Sequence, residues 1–286
     1  MNEFVAVKPI LVVGGAVGEV VLAQPDTGNS ERRISGAAFN VARTLRQLNV
    51  PVINGIPVGN GEWGAAIEAA MQQLGLPVLL RHGLMDNGWC QTLVEPNGER
   101  TVASVVGCES QWNKAQLATL PLEPETVVYV HGDQMAGESG DALCEWLTRM
   151  PFDQWRLLTP GPLVGLLSEE FFAMISDSHT LLTLNRSEVA SLCGEGDPVI
   201  AAQHYATAHN ITLICRLDRY VTWICDGHNA PQSVQGDAPE TSDAHNAGLL
   251  AGLSAGWSLP QAVDLANRVA ACVLSGKSLS SIHPAL

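Results

Sequence analysis

Basic residues are scarce in this chain: 15 Lys and Arg stand against 29 Asp and Glu, for a formal net charge of −14. Binding a phosphate backbone needs a stripe of cations, so this scarcity argues against nucleic acid as a partner. Paired cysteine spacing is also missing. The seven cysteines, at 90, 108, 144, 193, 215, 225 and 272, are odd in number and scattered, with no Cys-x-x-Cys. They read as reduced, buried thiols, not as a disulfide framework or a zinc site. The eight histidines never join them at ligand spacing. No apolar run is long enough for a bilayer, since the longest, "ILVVGGAVGEVVLA", is broken by Glu19. The N-terminal "MNEFVAVKPILVVGG" lacks the basic start and cleavage site of a signal peptide, so a cytoplasmic protein with no membrane partner is expected. "GGAVGEV" lacks the Gly-x-Gly-x-x-Gly spacing of dinucleotide-binding loops. Low-complexity linkers, heptads and solenoid repeats are missing as well.

What the chain does have is apolar residues, 46% of its 286, enough to bury a large core. Their spacing alternates between strand and helix periods. "PILVVGGAVGEVVLA" reads as a buried strand followed by an extended turn. "GAAFNVARTLRQLN" reads as a helix with Phe39, Ala42, Leu45 and Leu48 on one face. Strand-like "PVINGIPV", "TVVYVHG", "WRLLTPG", "TLLTLN" and "ITLICRLD" alternate with helix-like segments, and two C-terminal helices divide near "WSLPQ". Such alternation predicts an α/β fold whose parallel sheet is covered on both faces. Residues 89–105, "WCQTLVEPNGERTVASV", break the pattern, with Asn97-Gly98 as a hairpin turn signal. They read as an excursion from the sheet: a lid, a dimer surface or an ordinary edge hairpin.

Ligands of open parallel sheets sit beyond the carboxyl ends of the strands. That directs attention to loops 14–19, 131–134, 160–162, 185–188, 216–219 and 237–243. In "RRISGAAFNVARTL", Gly36 leads into a helix that carries Asn40 in its first turns. In "LNRSEVASL", Asn185 and Glu188 have the spacing of a capping box, and the same pair suits Mg²⁺-bound water and phosphate. In "GDAPETSDAHNAGLLAGLSAG", Asp237, Glu240 and Asp243 crowd the point where a helix of small residues should begin. They are either caps or parts of a site that handles anions. A carboxylate at Asp243 could accept a proton from a substrate hydroxyl.

In their order, "ISGAAFNVARTLRQLNV", "LNRSE" and "SDAHNAGLLAGLSAG" resemble the ribokinase/PfkB family of sugar and nucleoside kinases. The resemblance spans nearly the whole chain. It implies one ribokinase-like three-layer α/β/α domain over residues 1–286, with a small β-lid near 89–105. It implies Asp243 as catalytic base, and Glu19, Ser35, Gly36 and Asn40 as substrate contacts. Asn185, Glu188, Arg216, Asp218, Asp237, Thr241 and Ser242 would serve ATP, with Glu188 holding Mg²⁺ through water. The lid would be a candidate homodimer surface. The chain departs from the family pattern where Gly-Ala-Gly before the base becomes Glu240-Thr241-Ser242. Glu19 stands where the family often has Asp, Ser35 replaces a Gly, and "RLDRY" lacks the usual Gly of the nucleotide loop. Two functions follow as expectations: an ATP-dependent phosphotransferase acting on an alcohol of a sugar or nucleoside, or a catalytically impaired relative that binds sugar or nucleotide as a sensor or partner subunit.

Overall fold

The strand Ile10–Val13 (β1) is buried on both faces, the physical reason it reads as an unbroken apolar run. The computed structural model describes residues 4–23, 30–94, 100–136, 139–236 and 242–282. After β1 come β2 (Val17–Ala23), β3 (Ser30–Ser35), β4 (Val52–Gly55), β5 (Pro57–Val58), β6 (Leu80–Arg81), β7 (Trp89–Val94) and β8 (Arg100–Val105). Then follow β9 (Val127–His131), β10 (Arg156–Thr159), β11 (Thr180–Asn185), β12 (Thr212–Arg216), β13 (Val221–Cys225) and β14 (Gln232–Gln235). The helices are α1 (Ala37–Gln47), α2 (Glu62–Gln73), α3 (Lys114–Leu117), α4 (Gly140–Thr148) and α5 (Glu169–Ile175). The later ones are α6 (Arg186–Cys193), α7 (Pro198–His209), α8 (Ser242–Ser254) and α9 (Leu259–Leu274).

The main sheet runs β14-β13-β12-β11-β10-β9-β1-β4. Its strands are parallel from β4 to β12, and β13 and β14 are antiparallel additions at one end. Alternate strand residues point to opposite sides. Ile10 and Val12 join the core formed with α1, α2, α8 and α9, whereas Leu11 and Val13 join the core formed with α3 to α7. This makes three layers, α/β/α. None of the seven cysteines is in a disulfide.

Helix α8 is buried from Ala244 to Ser254. Its small residues allow this, because a Cβ on Gly248 or Gly252 would stand 2.6 Å from the Cα of Ala266 or Ala262 on α9. No larger side chain fits there without pushing the two helices apart.

A second sheet, β3-β2-β7-β8, forms the lid. Residues 17–23, read above as an extended turn, are one of its central strands, and 30–35 form an edge strand with no apolar alternation to announce it. Cross-strand pairing holds β3 in place instead, as where Arg33 lies opposite Glu19 and ion-pairs with it at 2.8 Å. The Asn97-Gly98 turn lies outside the described residues. Two carboxylates root the lid. Asp86 accepts from the Trp63 and Gly64 N–H groups that open α2. Glu109, only 5% exposed, accepts from Gly88 N at 2.7 Å and Gly107 N at 2.8 Å, tying together the points where β7 begins and β8 ends.

Candidate active site

Helix α1 begins against the turn that follows β1. Gly36 has φ +111°, and a Cβ there would meet the Gly15 carbonyl oxygen at 2.7 Å, so only glycine allows this approach. Beside it lies a cleft of about 540 Å³ between the lid and the carboxyl edge of the sheet, lined by Val17, Gly36, Ala37, Glu109, His131 and Gln134 among others. Ser35 pairs with Val17, and strand alternation puts Glu19 on the same lid face as Val17. Glu19 Oε2 accepts from Arg33 Nε at 2.8 Å, and Oε1 accepts from Thr92 Oγ1 at 3.1 Å.

One turn along α1 from Gly36, Asn40 reaches across to α8. Its Nδ2 donates to Asp243 Oδ2 at 2.9 Å, joining residues 203 positions apart in the chain. Arg43 Nη2 donates to Asn40 Oδ1 at 3.1 Å, which sets the amide with its NH₂ toward Asp243. Ser242 Oγ lies 3.4 Å from the other oxygen, Oδ1. The residue expected at the sugar and the residue expected as base are thus direct neighbours.

Across the sheet's carboxyl edge, Asn185 and Glu188 form a complete capping box at the start of α6. Glu188 Oε2 accepts from Asn185 N at 2.8 Å and Oε1 from Asn185 Nδ2 at 2.9 Å, while Asn185 Oδ1 accepts from Glu188 N at 2.9 Å. Asn185 is also the register partner of Arg216 on β12. Asp218 Oδ1 accepts from Tyr220 N at 2.7 Å and Val221 N at 3.0 Å, closing the β12–β13 turn. Asp237, Glu240 and Thr241 lie outside the described residues.

Reading strands one at a time missed a polar row. Tyr129, Thr159, Thr183, Arg216 and Thr222, on five neighbouring strands, all face α8 and α9, and all are buried. Asn246 Nδ2 donates to Thr159 Oγ1 at 2.9 Å, and Thr222 Oγ1 donates to Asn267 Oδ1 at 2.9 Å. His245 Nε2 lies 3.2 Å from the same Oδ1, which can only accept, so the imidazole carries its proton there. Burial, helped by the charge of Arg216, lowers the His245 pKa to about 3, and its bond to Asn267 opposes the shift. Burial, then the charge of Asp243, pushes the Tyr129 phenol up. The only signal in the sequence was a polar residue near the end of each apolar strand.

The architecture is that of ribokinase-like proteins. A fructokinase from Vibrio cholerae O395 superposes with a TM-score of 0.79 at 17% identity, over 94% of this chain and 99% of that one. An adenosine kinase from Sinorhizobium meliloti gives 0.78 at 15% identity over 98% of each chain. A ribokinase from Thermotoga maritima gives 0.75 at 17% identity, over 97% of this chain and 96% of that one. Within that fold class, the chain belongs to the PfkB family of carbohydrate kinases, whose model matches residues 8–286. It is 33% identical to the uncharacterized sugar kinase YegV of Escherichia coli K12 over 302 residues, covering 96% of this chain and 91% of that one. Among the described residues no helix is long and apolar enough to cross a membrane.

Proposed function

We propose that the protein is a cytoplasmic, ATP-dependent kinase that phosphorylates an alcohol group of a sugar or nucleoside. The observation that carries this reading is the hydrogen bond by which Asn40, one helical turn along α1 from Gly36 on the rim of the cleft, holds the Asp243 carboxylate at the first turn of α8. Asp243 takes the proton of the acceptor hydroxyl as its oxygen attacks the γ-phosphorus of ATP. The bond from that phosphorus to the bridging oxygen breaks, and ADP leaves with the electron pair. Glu19, Ser35, Gly36 and Asn40 bind the acceptor. Asn185, Glu188, Arg216, Asp218, Asp237, Thr241 and Ser242 serve the nucleotide.

The solved structures that share the fold include a Vibrio cholerae O395 fructokinase with fructose, ADP and calcium ion bound. Here Glu188 fits a hydrated Mg²⁺ ion. Both its oxygens already accept from Asn185, yet an ionised carboxylate keeps further lone pairs for a metal-bound water. Among the described residues no three acidic, His or Cys side chains converge as an ion cage, so an ion would draw most ligands from phosphate and water. When bound, Mg²⁺ neutralises charge on the β- and γ-phosphates. The lid offers a homodimer surface: β8 is an edge strand, with Val102 59% and Val105 53% exposed. A coupled ADP-release assay against a panel of sugars and nucleosides tests the reading. Acceptor-dependent ADP formation is expected, and its absence across the panel, with acceptor binding retained, would favour the sensor reading.

A further inference from the structure

We infer that Arg216 is the anion-binding group of this site, its guanidinium donating to the phosphoryl group in transfer. This rests on the kinase reading and deepens it. Arg216 ends β12 on the face that meets α8 and is only 8% exposed. A buried guanidinium normally carries an ion pair or a full set of acceptors. Among the described residues this one has neither. Among them its Nε has no hydrogen-bond partner, and no carboxylate lies within ion-pair distance. Glu188 and Asp243 act on it only through space, against a desolvation that pulls its pKa down.

A second donor is stranded beside it. Thr183, fully buried on the adjacent strand and facing the same way, has a hydroxyl with no partner. Arg186, which opens α6, is exposed, and its Nε donates to the Leu217 carbonyl at 2.9 Å. Arg216 is therefore the register neighbour of the Asn185–Glu188 cap and within electrostatic reach of the candidate base, and among the described residues its side chain meets no acceptor. A tetrahedral oxyanion there would take those donors, in the fork geometry guanidinium offers to phosphate. The sequence explains the need. Where the family resemblance implies a backbone cradle of Gly-Ala-Gly, the chain has Glu240-Thr241-Ser242. A side-chain cation from β12 supplies what those glycines would have supplied. No bond forms to Arg216. It stabilises negative charge on the equatorial oxygens while the acceptor oxygen bonds to phosphorus and the ADP oxygen departs.

The test is a thermal melt of the full chain in inorganic phosphate, with chloride at matched ionic strength, alongside kinase assays. Wild type should gain several degrees in phosphate. Arg216→Met should melt no lower than wild type without phosphate, since it removes an unpaired buried charge. It should lose the phosphate response and fall about 10²–10³-fold in kcat. Arg216→Lys should keep part of the response, and it also serves if the Met variant fails to fold. A Met variant that melts lower and still responds to phosphate makes Arg216 structural and overturns the inference, as does a wild type blind to phosphate. If no acceptor is phosphorylated yet the phosphate response vanishes with Arg216, the kinase reading fails and the anion site stands.

Discussion

Asn40 and Asp243 share one hydrogen bond, but their removal should leave different kinetic traces. Asp243→Asn keeps the shape and removes proton acceptance, so kcat should fall about 10²–10⁴-fold with sugar binding intact. Steady-state kinetics with a calorimetric sugar titration checks this, and wild-type turnover in the Asn variant would sink the base assignment. Asn40→Ala strips a polar partner from the site, at about 1–3 kcal/mol. Sugar affinity should weaken about tenfold or more while ATP affinity barely changes; the reverse pattern would move Asn40 to the nucleotide side. At this scale the sequence was partly legible. The Asn185–Glu188 box could be read because its chemistry lies within one turn. The Asn40–Asp243 pair could be placed only by resemblance, because 203 positions separate the two. Glu109 left no local trace, since its partners are backbone N–H groups, which every residue type presents.

Among elements, the lid is tied to the body by a few polar roots. Glu109→Gln keeps the side-chain volume but turns an NH₂ toward one of two backbone donors. Stability should fall by about 1–3 kcal/mol, a few degrees in Tm, because a buried N–H loses its acceptor. Timed proteolysis should cut within the lid sooner, ahead of the body; an unchanged melt and cleavage rate would show that the clamp contributes nothing. Elements with apolar periodicity were readable. Helix α1 and its C-cap Leu48 bury Phe39, Ala42, Leu45 and Leu48 as their spacing predicts. The edge strand β3, "SERRIS", was not, because its stability comes from partners on β2 rather than from its own pattern. The polar row beneath α8 was hidden for a related reason: register alone aligns five separate residues.

The whole molecule should be acid-sensitive through His245. In the unfolded chain this imidazole titrates near its ordinary 6.5, whereas burial holds it to about 3 when folded. Between those values the unfolded state binds a proton that the folded state refuses. Stability from this group is therefore complete above pH 6.5 and declines as pH falls toward 3, by up to about 1.4 kcal/mol per pH unit. Urea melts of wild type and His245→Gln at pH 7.5 and 5 should show the steeper loss in wild type; parallel losses would place the sensitivity elsewhere. The tie between α1 and α8 also bears on how the protein is made. A nascent chain that has emerged only through β14 already contains the lid and the strands of the main sheet, but not Asp243. It can fold part of the body as it leaves the ribosome. Under the proposed mechanism it stays inactive until the first turn of α8 has been made, so phosphoryl transfer also certifies that synthesis passed residue 243.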